Sequence, residues 1–115
     1  MWFSGRSKAK LAGDFSGLIA RAPHVVSTEA SGETVLLDVR RGQYHTLNEV
    51  GSRVWELLRV GTTVDEIVRA IREEYDIPAD WSPDRVEQDV RALLTQLHSV
   101  GLLLANGEAA TEASP

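Results

Sequence analysis

The chain has 115 residues, 43% of them hydrophobic and 25% charged, enough for one compact domain and too few for two. It contains no cysteine, which excludes disulfides, thiolate zinc sites, iron–sulfur clusters and a cysteine nucleophile, and suits a reducing compartment. Its 12 basic and 17 acidic residues leave a net charge of −5, which argues against nucleic acid as the main partner.

The opening Met-Trp-Phe-Ser-Gly-Arg lacks the charged-then-apolar order of a secretory signal. No apolar run approaches the ~20 residues of a bilayer span, so a cytoplasmic protein without a membrane span is expected. Residues 1–22 hold Arg6, Lys8, Lys10 and Arg21 against Asp14, a basic N-terminal extension. Within it Leu11, Phe15, Leu18 and Ile19 recur at helical spacing, although Gly13 and Gly17 each cost such a helix about 1 kcal/mol against alanine. Either a loosely held extension or a helix packed on its own domain fits this pattern, as does a docking segment. Pro23 closes it.

From His24 to Leu47 β-branched residues alternate between glycine turns: HVVSTEA, Ser31-Gly32, ETVLLDV, Arg41-Gly42, QYHTL. The pattern predicts a three-stranded meander with the middle strand paired on both sides and the outer two at the sheet edges. Val35, Leu37 and Val39 are the expected core face of the middle strand, with Thr34, Asp38 and Arg40 pointing the other way beside Leu36.

After Leu47 the period becomes 3.6. Asn48 is placed to cap a first helix with the apolar stripe Val50, Val54, Leu57 and Leu58, ended by Gly61. Thr62 or Thr63 caps a second helix carrying Val64, Ile67, Val68, Ile71 and Tyr75, with Asp65 and Glu66 in its first turn. Pro78 breaks the chain; Ser82 and Pro83 open a third helix that buries Val86, Val90, Leu93 and Leu97 before Gly101, and Leu102 to Leu104 return to the core. The tail 106–115, with nothing larger than alanine to bury, is expected to be disordered. The fold class is therefore α+β, a three-stranded antiparallel sheet followed by three helices.

No residues are grouped for catalysis. His24, His45 and His98 lack metal-ligand spacing, and none has a nucleophile or paired carboxylate beside it in the pattern, so neither a catalytic residue, a metal nor a cofactor is expected. The nine glycines fall at turns and helix ends rather than in a phosphate-binding loop, and Trp2, Trp55 and Trp81 are too scattered for a base-stacking platform. Recognition remains. The edge strand GQYHTL leads straight into the first helix, and an extended peptide can add to such an edge through backbone hydrogen bonds. The same edge would allow a weak dimer.

The run LLDVRRGQYHTLNEVGSRVWELL, then TTVDEIVRAIREEYDI, then VEQDVRALLTQLHSVGLL, resembles the PqqD-like proteins, the recognition elements that bind leader peptides of ribosomally made natural products. Asp38 followed by Gly42, Leu47-Asn48 with Gly51, Thr63-Val64-Asp65-Glu66-Ile67, and Asp89-Val90 with Gly101-Leu102 carry the match, which covers residues 23–105. The resemblance implies a small winged-helix-like domain in which a precursor leader joins the third strand of the meander and packs on the third helix. It implies a pairing strand of Gln43, Tyr44, His45, Thr46 and Leu47. On the third helix the expected wall is Arg85, Asp89, Ala92 and Gln96 beside Leu93, and the flank Glu87, Arg91, Leu94 and His98 is the alternative. An ordinary surface ion pair is the competing reading of Arg85 with Asp89.

Among such proteins the chain looks most like the stand-alone leader-binding protein of lasso peptide biosynthesis, with a leader peptidase and a cyclase or another modifying enzyme as partners. A chaperone of pyrroloquinoline quinone biosynthesis is the nearer competitor. A winged-helix DNA-binding protein is the rival from another class, weakened by the 14 acidic against 8 basic residues between 23 and 105. An acidic carrier protein would need an exposed modifiable serine opening a helix, and Ser52 lies inside the first helix without the preceding acid.

Overall fold

The computed structural model describes Phe15 and residues 17–105. In chain order the elements are β1 (Ile19–Arg21), β2 (Val25–Ala30), β3 (Glu33–Asp38), β4 (Gln43–Leu47), α1 (Glu49–Leu57), α2 (Val64–Glu74), α3 (Arg85–Ser99) and β5 (Leu103–Ala105). Strands β2, β3 and β4 form an antiparallel sheet in that order, and β1 pairs antiparallel with β5 in a second, two-stranded sheet. The α+β class and the three-stranded meander followed by three helices are as the sequence patterns indicate.

Local chemistry accounts for the boundaries. Ser31 and Gly32 both take positive φ, the conformation that lets a two-residue hairpin follow the twist of β2 and β3. Asn48 Oδ1 accepts from Gly51 N at 2.9 Å to start α1, and Thr63 Oγ1 accepts from Glu66 N at 3.2 Å to start α2. A 3-10 turn, Leu58–Val60, finishes α1 before Gly61 turns the chain at φ 84°. The third helix departs from expectation at its start. Asp84, not Ser82, is its N-cap and makes no side-chain capping bond, while Ser82 O accepts from Arg85 N in the preceding turn.

One core gathers Leu36, Leu47, Val54, Trp55, Leu58, Ile67, Ile71, Val86, Val90, Leu93, Leu94, Leu97 and Leu102. It also takes in Phe15 and Ile19, and Ala22 is buried as well, all upstream of the boundary expected at residue 23. The helix expected over Leu11 to Ile19 does not extend through its last residues. Ile19 is in a strand that hydrogen-bonds Thr62 on one side and pairs with Ala105 on the other, Leu18 is exposed, and Leu11 lies outside the described residues. Long-range backbone partners override the local helical spacing here. Arg21 then ties β1 to α1 by donating to Trp55 O at 2.9 and 2.7 Å with its guanidinium 4.6 Å over the indole. Burial and the nearby Arg59 both lower the Arg21 pKa. The expected disorder of the tail concerns residues 106–115, which also lie outside those described.

The sheet is turned over relative to expectation. Thr34, Leu36 and Asp38 form the buried face of β3, whereas Val35 and Leu37 are half-buried on the other side and Val39 is 54% exposed. Two polar groups can occupy the inner face because each finds hydrogen-bond partners there. Thr34 Oγ1 bonds Ser52 Oγ at 2.7 Å, and Asp38 Oδ1 accepts from the backbone N–H of Arg40 and Arg41 at 2.9 and 3.1 Å. This arrangement predicts that Leu36→Ala lowers stability by about 2–5 kcal/mol. Leu37→Ala should cost distinctly less, and equal losses in urea titrations of the two variants would contradict the assigned face.

Candidate functional site

Among the described residues strand β4 has one neighbour in its sheet, β3, and its other side is an edge. Register fixes which backbone groups face that edge. The two-residue turn makes Ala30↔Glu33, Thr28↔Val35 and Val26↔Leu37 the hydrogen-bonded pairs of the first ladder, and Val39 N donating to His24 O at 3.1 Å continues the same alternation. Residues 34, 36 and 38 therefore aim their backbone groups at β4, where Leu47, His45 and Gln43 answer them. Tyr44 and Thr46 turn their N–H and C=O away from β3. Their side chains lie on the outer face, where Tyr44 is 70% exposed, and Leu47 is in the core.

Both ends of β4 are anchored. At its start the turn from Val39 to Gly42 is built on the Asp38 carboxylate, closed by Gly42 N donating to Asp38 O at 2.7 Å, with Gly42 at φ 70°. The same turn reaches α3, because Arg41 Nη1 donates to Val100 O at 2.9 Å. Gly101 stands close by; a Cβ there would lie 3.0 Å from Arg41 Nη1, and its φ of 83° independently favours glycine. At the far end Asn48 caps α1, and Ser52, bonded to Thr34, comes within 3.4 Å of Leu47 O. An edge strand held at both ends is preorganised to accept another strand.

The helix wall is less uniform than its sequence spacing suggests. Arg85 lies 4.1 Å over the Trp81 ring and 3.4 Å from Asp89, so the surface ion pair weighed for these residues is present. Ala92 is half-buried, Leu93 is core, and Gln96 is only 5% exposed. The accessible part of this flank is thus Arg85 to Ala92, and Gln96 does not belong to an open surface. On the alternative flank Arg91 pairs with Glu87 at 2.9 Å, Leu94 is fully buried, and His98 meets the Phe15 ring edge-on at 6.0 Å. The contacts of Arg41 with Val100 and of Phe15 with His98 leave no sign in the sequence, since each joins chain segments brought together only in the fold.

Among the described residues no group of His, Asp and Glu could hold a metal ion, and no helix is long and apolar enough to cross a membrane. A polar cleft between β2 and α1 mixes Arg21 and Arg59 with Glu29 and Glu56, an arrangement without convergent charge of one sign.

The family described as coenzyme PQQ synthesis protein D, PqqD, matches residues 33–103. No curated protein matches the chain. Among solved structures it is similar to TbiB1 in complex with the TbiA(beta) leader peptide, at 39% identity over 78% of this chain and 98% of that one, with a TM-score of 0.66. It is also similar to a lasso peptide synthetase B1 complexed with the leader peptide, at 26% identity over 75% and 96% of the two chains and a TM-score of 0.64.

The anchoring of β4 makes Asp38 a sensitive position. Asp38→Ala leaves two backbone N–H groups without their acceptor and should cost about 1–3 kcal/mol of stability. Amide exchange in β4 should rise more than exchange in α2; uniform acceleration across both elements would show that the turn does not hold β4 in particular.

Proposed function

The chain belongs to the PqqD family, and on that premise we propose that it is a non-catalytic leader-peptide-binding protein of lasso peptide biosynthesis. The leader adds as an antiparallel strand to β4, with residues 23–105 as the binding domain. The observation that carries this reading is the edge of β4, held at both ends and linked to the end of α3 through Arg41, in a chain 39% identical, over 78% of its length, to a protein solved in complex with a leader peptide. Outward backbone groups of Tyr44 supply ladder bonds. The half-buried Ala92 leaves room for a leader side chain against Leu93, and Arg85 and Asp89 offer polar partners at the rim. Gln96, being buried, acts from within the packed end of this wall. Gln43 and His45 keep β4 in register with β3, and Leu47 fixes the end of the strand in the core.

The binding event carries no chemistry of its own. Its use is to raise the local concentration of a precursor at the enzymes that process it, a leader peptidase and a cyclase. In the first turns of α3 the arginines are paired with Asp89 and Glu87, which removes the basic stripe that a DNA-reading helix needs.

The test is titration with the TbiA(beta) leader peptide and with the leader of the chain's own precursor. Binding is expected at nanomolar to micromolar strength, about −8 to −12 kcal/mol, with duplex DNA binding weakly and with steep salt dependence. Tyr44→Pro removes an outward donor and should weaken leader binding by about 1 kcal/mol or more while the fold survives, because edge strands tolerate proline on the outward side. His45→Pro instead breaks the ladder to β3 and should destabilise the domain. Ala92→Trp should block the leader with little loss of stability. Unchanged affinity in folded Tyr44→Pro and Ala92→Trp proteins would remove β4 and α3 from the site, and sequence-selective DNA binding at physiological salt would reverse the reading altogether.

A further inference from the structure

The outer face of the three-stranded sheet is more apolar than the face buried in the core. Across it Val26, Leu37 and Tyr44 form one cross-strand row, and Thr28, Val35 and Thr46 form the next. Val26 is 53% exposed, Val39 54% and Tyr44 70%. Among the residues on this face from Val26 to Thr46 only Glu33 is charged, and it sits at the end beside the Ser31-Gly32 turn, with exposed Arg40 beyond the opposite end. Helix α1 packs on the other side, where Leu36 and Leu47 are buried. A sheet covered on one side ordinarily puts its polar residues outward. Here Asp38 and Thr34 are inside, each needing specific hydrogen bonds, and the valines and Leu37 are left outside. An apolar centre with a charged rim is the anatomy of a protein interface.

We propose that this face docks the enzyme that acts on the bound precursor, through an uncharged apolar surface on that enzyme. The proposal rests on the leader-binding reading above. It follows from continuity: the row Val26–Leu37–Tyr44 ends at the edge where the leader adds. A fourth strand there places alternate leader side chains on the same face and lengthens the row by one member. An enzyme seated on the face touches the protein and the leader together, so it binds the loaded form more tightly than the empty one, and by linkage it tightens the hold on the leader by the same factor. A second copy of this chain could cover the apolar centre, but it would not need the leader to do so.

Val26 is suited to the test because it lies two strands from the leader edge, about 9–10 Å away, and plays no part in leader binding. The measurements use the wild-type chain, Val26→Lys and Thr28→Lys, the latter at an exposed position of the same face on β2, each checked by circular dichroism, with a fluorescent leader peptide and the purified leader peptidase of the pathway. Both variants are expected to bind the leader within twofold of wild type. Binding of the peptidase to the leader-loaded protein should fall at least tenfold, and KM for cleavage of the precursor complex should rise accordingly. Wild-type peptidase binding and KM in both variants would overturn the proposal, as would peptidase affinity that is independent of leader. A wild-type chain that sediments as a dimer, reduced to monomer by Val26→Lys, would assign the face to a second copy instead. Failure of the wild-type chain to bind any leader would fall on the leader-binding reading, and the proposal would go with it.

Discussion

The geometry of the site depends on a buried carboxylate. Asp38 is 1% exposed, and its Oδ1 accepts two successive backbone N–H groups, from Arg40 and Arg41. A carboxylate withdrawn from water is costly unless it is hydrogen-bonded, so its presence forces the chain that follows into one turn rather than many. His24 Nε2 stands 3.9 Å from the same oxygen and Arg41 Nη1 stands 3.7 Å from the other, which brings the start of β2 and the hairpin turn together around one charge. From that turn β4 takes its starting point, and Arg41 carries the constraint on to the end of α3. The strand edge and the helix wall are thus positioned from a common residue.

Helices were the most legible part of the sequence because capping and periodicity are local. Asn48, Thr63 and Gly61 act where their chemistry places them, and the stripes Val64, Ile67, Ile71 and Val86, Val90, Leu93, Leu97 are buried. The half-buried Arg53 shows the limit of that legibility. It donates to Glu74 at 2.7 and 2.8 Å, joining α1 to α2 and holding the Glu74 carboxyl below its ordinary range, yet spacing along the chain offers no hint of the pair. The face of β3 was misread for a physical reason. Hydropathy favours Val35, Leu37 and Val39 as core, but burial was decided by partners for Thr34 and Asp38 that come from Ser52 and from the turn, and a one-residue change of phase exchanges every side chain between the faces.

Of the candidate site, the edge position of the strand was legible. Short hairpins imply that the third strand of the meander is an edge, and the observed order β2-β3-β4 agrees. The wall on α3 was not, since a helical wheel gives neighbours along the helix and says nothing of what covers each flank. Burial of Gln96 and the approach of Phe15 to His98 are set by segments distant in sequence, and the Trp81 ring beneath Arg85 lies in the irregular chain before the helix, where no helical wheel applies. The small strand β1 escaped notice for the same cause: three residues carry too little pattern to outweigh a helical spacing, and its partners lie at Thr62 and at residues 103–105.

That small sheet has an architectural corollary. Ile19 lies opposite Ala105, so residues 19 and 105 stand side by side in a sheet other than the one that carries β4. Joining them by a short linker and opening the chain at an exposed turn is therefore geometrically inexpensive. A catalytic domain joined directly at residue 19 or at residue 105 would be tethered at nearly the same point, so the order of modules in such a fusion would matter little to their spatial arrangement.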